Sequence, residues 1–216
     1  MPGAEEVYRL IRQVAPSFAA KLQAAAASSH NEAELRTQVA HHIQELADQF
    51  GVRLNPREEY TLAEGQADAV YNRVVIEYKA PGVLRPRQDG AVRSDLGHDK
   101  TAAAVAQMRR YVDGLSREQR RASDRLLGVA LDGKSLVFAR YVGGHWSVDP
   151  PLAVTPQSAE RLLRALFSLS AGRALIRAFR PWVRAWVLGK SPYWRKRTRR
   201  VARPRRKAVP ESERVG

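Results

Sequence analysis

The chain has 216 residues, 44% of them apolar, which is enough for one α/β domain with a sizeable core. It contains no cysteine, so a disulfide framework and a thiolate metal site are excluded. No apolar run approaches the ~20 residues that span a bilayer, and the N-terminus lacks a signal-peptide pattern. We therefore expect a cytoplasmic protein with no membrane partner.

Two amphipathic helices are predicted first, over residues 5–27 and 32–50. Pro16 should kink or split the first helix, because proline removes a backbone donor and its ring clashes with the preceding turn. Asn31 is a good N-cap for the second helix, and Gly51 is a good signal for its C-terminal end. We expect the first helix to contribute packing alone.

Residues 65–82 are predicted to form a β-hairpin, because their apolar residues are β-branched or aromatic. Asn72 and the arginine after it can serve as a two-residue loop, since asparagine tolerates a left-handed backbone. That loop fixes the register, which pairs Tyr71 with Val74, Val70 with Val75, Ala69 with Ile76, and Asp68 with Glu77. Lys79 returns to the face of Glu77, because side chains alternate along a strand.

Two opposed carboxylates repel each other, so the pairing of Asp68 with Glu77 costs stability unless a cation lies between them. A hard divalent cation such as Mg²⁺ prefers oxygen ligands and keeps several waters. A neighbouring lysine can position or deprotonate one of those waters, or neutralise charge on a phosphate. The residues thus favour a metal site, although E-x-K is also common as a solvated charge pair on an edge strand.

The pattern D-x8-E-Y-K, formed by Asp68, Glu77 and Lys79 and followed by Ala-Pro-Gly, resembles the PD-(D/E)XK nuclease superfamily. Ala67 stands where the family name has proline. The resemblance implies a Mg²⁺-dependent nuclease in which Asp68, Glu77 and the backbone carbonyl of Tyr78 bind the metal. Lys79 would then activate the attacking water.

Glu32 lies on the apolar stripe of the second helix, with Leu35 and Val39, where an acidic residue is unusual. An acid in the first turn is also favoured by the helix dipole, which requires no site. In the superfamily, the helix before the core strands often supplies a glutamate to the metal cluster. The resemblance suggests Glu32 for this ligand, with Glu34 as the alternative.

A further helix is predicted over residues 101–115, where Gln107 and Tyr111 are four residues apart and share a face. A Q-x-x-x-Y helix after the E-x-K strand resembles the accessory motif of the recombination-exonuclease branch of the superfamily. This implies that both residues support the substrate or Lys79, and the alternative for Tyr111 is a core position. The arginine-rich residues 83–100 before this helix form either a loop over a substrate backbone or a solvated loop.

The remaining predicted elements are strands over residues 52–62, 126–131, 135–141 and 146–148, and a helix over residues 155–169. Asp132-Gly133 lies between two of the strands and is a strong hairpin signal. The order is helix, strand, hairpin, helix, hairpin, helix. It predicts an α/β fold with a restriction-endonuclease-like core, a mixed β-sheet flanked by helices.

The positive charge is concentrated in a basic tail. Residues 172–216 contain 15 Lys and Arg against 2 acidic residues, so they hold +13 of the total +15 and leave +2 for the nuclease-like residues 1–171. Such a run is too repulsive to fold alone and suits a polyanion, while the aromatic residues among the arginines can stack on bases. Nucleic-acid contacts are predicted at Arg195, Lys196, Arg197, Arg199 and Arg200.

Together these features predict a Mg²⁺-dependent DNA endonuclease domain, with DNA as its partner. It resembles the N-terminal nuclease module of restriction–modification proteins, which implies a methyltransferase or specificity subunit as a further partner. One alternative is a nucleic-acid-binding protein on a nuclease-like fold, with an idle site. Another is a remnant of a larger nuclease–methyltransferase, whose basic tail arises from truncation or frameshift.

Overall fold

The computed structural model describes residues 4–54, 56–62, 65–85 and 100–170. The predicted nucleic-acid contacts Arg195, Lys196, Arg197, Arg199 and Arg200 lie outside the described residues, as does the predicted boundary between residues 171 and 172. Most of the arginine-rich loop, residues 86–99, lies outside them as well.

The described elements are four helices and seven strands. In chain order they are α1 (Ala4–Ser28), α2 (Glu32–Gln49), β1 (Pro56–Leu62), β2 (Gly65–Tyr71), β3 (Val74–Tyr78), α3 (Lys100–Glu118), β4 (Leu127–Leu131), β5 (Ser135–Val142), β6 (His145–Val148), β7 (Leu152–Ala153) and α4 (Pro156–Ser170). A short 3-10 turn, Ser123–Arg125, precedes β4. The sequence analysis missed β7, which has only two residues.

Within the described residues, seven strands form one mixed sheet, in the order β1-β2-β3-β4-β5-β6, with β7 also paired to β5. β3 and β4 run parallel and are joined through α3, and the other neighbours are antiparallel. The coarse prediction of an α/β fold with a mixed sheet between helices is therefore confirmed.

The hairpin β2–β3 has the predicted loop and register. Asn72 has φ +52°, in the left-handed region that a two-residue loop requires. The ladder pairs Tyr71 with Val74, Val70 with Val75 and Ala69 with Ile76. Three of the four predicted pairs are thus confirmed, and the exception, Asp68 with Glu77, belongs to the site.

The central strands are covered by helices on both faces. α3 packs on the face that contains Val75 and Ala130, through Met108, Tyr111 and Val112. α2 and α4 also contact β3, and every residue of β3 is buried. Glu77, the charged residue of β3, is therefore held in a largely dehydrated environment.

The first helix, α1, continues through Pro16 without a break, so of the two predicted effects of Pro16 the split is wrong. Pro16 lies on the exposed side of α1, so water can satisfy the carbonyl that loses its intrahelical donor. Ala15 and Phe18 beside it are buried and hold the helix against the core. Within the described residues, no helix is both long and apolar enough to cross a bilayer.

Candidate metal and catalytic site

Lys79 lies at the end of β3, surrounded by carboxylates from separate elements. Its Nζ is 2.5 Å from Oε1 of Glu77 on β3 and 3.5 Å from Oε2 of Glu32 at the start of α2. The charge of Asp68 on β2 also acts on Lys79 and on Glu77. The structure therefore brings together the four charged residues that the sequence analysis selected.

Asp68 is held differently from the prediction. Its Oδ2 accepts a hydrogen bond from the backbone N–H of Tyr78 at 2.7 Å. The strand ladder stops one pair earlier, at Ala69 and Ile76, so Asp68 does not pair with Glu77 within the ladder. The carboxylate takes the place that a strand carbonyl would occupy, which fixes Asp68 beside the end of β3.

Glu77 is the most deeply buried member of the cluster, with 1% of its surface exposed. Its Oε2 is buried and has no hydrogen-bond partner among the described residues. Burial and the charge of Asp68 raise the pKa of Glu77 to about 7, against the opposing effect of its bond to Lys79. An unpartnered carboxylate oxygen in such a place is costly, and a cation would remove that cost.

The neighbouring ionisable groups respond to the same environment. Burial raises the pKa of Glu32 and of Asp68. Burial alone would lower the pKa of Lys79, but its hydrogen bond to Glu77 and the surrounding carboxylate charges raise it overall. Lys79 therefore carries a proton at neutral pH, so it can donate to an oxygen or orient a water.

The choice between Glu32 and Glu34 follows from the N-cap of α2. Glu34 accepts hydrogen bonds from the backbone N–H of His30 at 2.7 Å and from Nδ2 of Asn31 at 3.0 Å. Its own N–H donates to Oδ1 of Asn31 at 2.9 Å, which confirms Asn31 as the N-cap. Glu34 thus closes the start of the helix, while Glu32 extends toward Lys79.

Arg36 is a member of the cluster that the sequence analysis missed. Its guanidinium is 2.9 Å from Oε1 of Glu59 on β1 and 3.9 Å from Oδ1 of Asp68. Arg36 is four residues after Glu32, so both lie on the same face of α2. This spacing was the available signal, and Arg36 supplies a second positive charge beside Asp68.

The predicted accessory pair on α3 has a different setting. Nε2 of Gln107 donates to the Tyr111 hydroxyl at 2.7 Å. Tyr111 is 4% exposed and packs in an apolar cluster with Val70 and Val75. In the described part of the chain, neither Gln107 nor Tyr111 hydrogen-bonds to Glu77 or Lys79, so the alternative of a core position describes Tyr111.

A metal ion can be tested against the donors that are present. Across residues 4–54, 56–62, 65–85 and 100–170, no group of three or more His, Cys, Asp or Glu side chains is placed to hold a metal. Asp68 and Glu77 provide two carboxylates, and Oε2 of Glu77 is buried without a hydrogen-bond partner in these ranges. This set fits Mg²⁺, which is usually bound by one or two carboxylates together with waters and substrate phosphate, and does not fit an all-protein cage.

Comparison with known proteins adds no assignment: no protein-family model, curated protein or solved structure matches this chain. Its function is therefore inferred from the residues around Lys79.

Proposed function

We propose that the chain is a Mg²⁺-dependent DNA endonuclease of the PD-(D/E)XK type, with a restriction-endonuclease-like core. One observation carries this proposal: a charged lysine lies among three carboxylates from α2, β2 and β3, and one oxygen of the most buried carboxylate has no partner. Burying these charges costs stability, so we expect a protein to keep such a cluster where it serves a function.

The proposed ligands are Asp68 and Glu77, with the backbone carbonyl of Tyr78 and with Glu32. When bound, the metal would polarise the scissile phosphate and offset the charge that develops in the transition state. Glu77 is held in place by burial, and Asp68 by its bond to the Tyr78 N–H, so both are positioned before a metal arrives.

Lys79 is the proposed positioning and charge-stabilising group for the attacking water and the phosphate. Its ammonium group is kept protonated by the carboxylates around it, which favours donation to an oxygen over removal of a proton. This refines the role of water activation that the family resemblance implies. Gln107, half-buried beside Tyr111, is the proposed substrate contact of the accessory pair, whereas Tyr111 packs in the core.

DNA is the proposed substrate because the basic tail suits a polyanion, and Arg195, Lys196, Arg197, Arg199 and Arg200 stay its predicted contacts. An association with a methyltransferase or specificity subunit also stays a proposal. The competing function, nucleic-acid binding with an idle site, is favoured by two observations. Lys79 already neutralises Glu77, and the described residues lack a three-ligand group.

Plasmid cleavage by the purified chain distinguishes the two functions. We expect nicking or cutting with Mg²⁺ or Mn²⁺ and none with a chelator. Lys79→Ala should reduce the rate by about 100-fold or more, as expected for loss of one charge-stabilising donor. Lys21→Ala is the matched control, because Lys21 on α1 is an exposed lysine that pairs with a single glutamate, Glu45 on α2.

A second variant separates catalysis from folding. Lys79 is the partner of a buried carboxylate, so Lys79→Ala also destabilises the protein. Lys79→Arg keeps the positive charge but changes the donor geometry, and we expect a folded protein with strongly reduced cleavage. Wild-type cleavage rates in both variants would refute the role of Lys79, and chelator-resistant cleavage would refute the role of the metal.

A further inference from the structure

Three arginines meet at the opposite end of β3 from Lys79. Arg73 lies in the β2–β3 loop, and Arg121 and Arg125 lie in the turn between α3 and β4. The Arg73 carbonyl accepts the N–H of Leu127 at 2.9 Å, and Nη1 of Arg121 donates to Oδ1 of Asn72 at 2.9 Å. Loop and turn are therefore joined at two points, and we call these three residues the arginine cluster.

The turn that holds Arg121 and Arg125 is fixed by its own hydrogen bonds. Oγ of Ser116 donates to the Arg121 carbonyl at 2.5 Å, and the Arg121 N–H donates to the Ser116 carbonyl at 3.0 Å. Oγ of Ser123 donates to Oγ of Ser116 at 3.0 Å. Because the backbone is already ordered, a ligand would bind the cluster without the entropic cost of ordering a loop.

The positive charges of the cluster are not balanced locally. Nε of Arg73 is buried and has no hydrogen-bond partner among the described residues. Burial lowers the pKa of Arg73, and the charges of Arg121 and Arg125 lower it further, with no carboxylate acting in the opposite direction. Asp124, the acid within the turn, is exposed and forms no ion pair within the described ranges. An anion at this point would screen the repulsion between the three guanidinium groups.

We propose that the arginine cluster binds backbone phosphates of the DNA whose scissile phosphate lies beside Lys79. Guanidinium groups match the oxygens of a phosphate with two parallel hydrogen bonds, which favours this ligand over a single carboxylate. Arg73 immediately precedes β3 and is four residues from Glu77, which corresponds to roughly 13 Å of extended backbone at about 3.3 Å per residue. That span equals roughly four base-pair steps of about 3.4 Å, so the spacing between the arginine cluster and the site matches the spacing of phosphates along one duplex.

The inference rests on the proposed function, and its test reads DNA binding separately from cleavage. The full chain is titrated with a fluorescent 20-base-pair duplex in chelator, over a series of NaCl concentrations. Arg73→Ala/Arg125→Ala removes two members and leaves the bond from Arg121 to Asn72 in place. Arg9→Ala/Arg12→Ala, on the exposed side of α1, is the control with the same loss of charge.

We expect the cluster variant to bind DNA at least 10-fold more weakly than the control variant at about 0.1 M salt. Its log–log salt slope should be smaller by about 2, since each phosphate contact contributes about 0.9. Arg73→Lys/Arg125→Lys should restore the slope, because lysine keeps the charge. Thermal unfolding of each variant verifies that the fold is retained.

The outcomes separate the two proposals. Weaker binding by the cluster variant, together with no cleavage by the wild type, would support the arginine cluster and refute the nuclease. Metal-dependent cleavage by the wild type, together with equal affinities and slopes for the cluster and control variants, would overturn the arginine cluster and leave the nuclease intact. Equal affinities would also be the result if the natural ligand were an acidic protein.

Discussion

Glu77→Gln should make the metal-free protein more stable at alkaline pH while removing its activity. The pKa of Glu77 in the fold is about 7, against an ordinary value of 4.5. The unfolded chain therefore binds fewer protons at this residue between these two values, so stability is lost as the pH rises through that window. A difference of about 2.5 pKa units at about 1.36 kcal/mol each corresponds to about 3 kcal/mol at pH 8. Glutamine cannot ionise and avoids this cost.

The measurement is chemical denaturation of both proteins in chelator at pH 5, 6, 7 and 8. Near pH 5 the folded wild type keeps Glu77 protonated, so the two free energies of unfolding should be similar. The wild type should then fall behind the variant by about 1.4 kcal/mol per pH unit up to pH 7, and level off above it. Added Mg²⁺ at pH 8 should stabilise the wild type and not the variant, since a ligand that binds only the folded state raises its stability.

A difference between the two proteins that stays flat over this range would refute the burial of a raised-pKa carboxylate at this position. A wild type that gains on the variant as the pH rises would mean that the ion pair with Lys79 outweighs the cost of burying Glu77. Stabilisation of both proteins by Mg²⁺ would place the metal elsewhere.

Three further tests concern the hydrogen bond of Asp68, the packing of α1 and the role of Tyr111. Asp68→Ala should lower the free energy of unfolding by about 1–3 kcal/mol, because it leaves the buried N–H of Tyr78 without an acceptor. Asp68→Asn keeps an acceptor oxygen, so it should retain most of the stability and lose cleavage. Equal stability of the two variants in urea denaturation would contradict this. Gly133→Ala should lower the free energy of unfolding by more than about 3 kcal/mol, since the added Cβ would lie 2.6 Å from the Cβ of Ala26. Gly51→Ala, which also has a positive φ but open space around it, should lower the free energy of unfolding by about 1 kcal/mol. Similar melting temperatures of the two variants would refute the tight approach of α1 to Gly133. Tyr111→Phe should leave cleavage unchanged if Tyr111 serves packing, and a rate loss above 10-fold would restore its predicted accessory role.

The sequence by itself determined the features that depend on local backbone chemistry. Asn72 specifies a two-residue loop, and the loop length sets the register of β2 against β3, because side chains alternate with a period of two. Asn31 specifies the start of α2 for a similar reason, since its side chain satisfies a backbone donor three residues away. These signals are sufficient to place Glu77 in β3 and Lys79 directly after its end, within reach of each other.

Tertiary structure decided which distant residues meet them. The N-cap of α2 engages Glu34 locally, and the packing of α2 against the sheet brings Glu32 to Lys79. The bond from Asp68 to the Tyr78 N–H and the arginine cluster also join residues that are far apart in sequence or on different elements. Such approaches depend on how helices dock over a sheet, which no short pattern of residues encodes, so their charges and pKa values follow only from the folded chain.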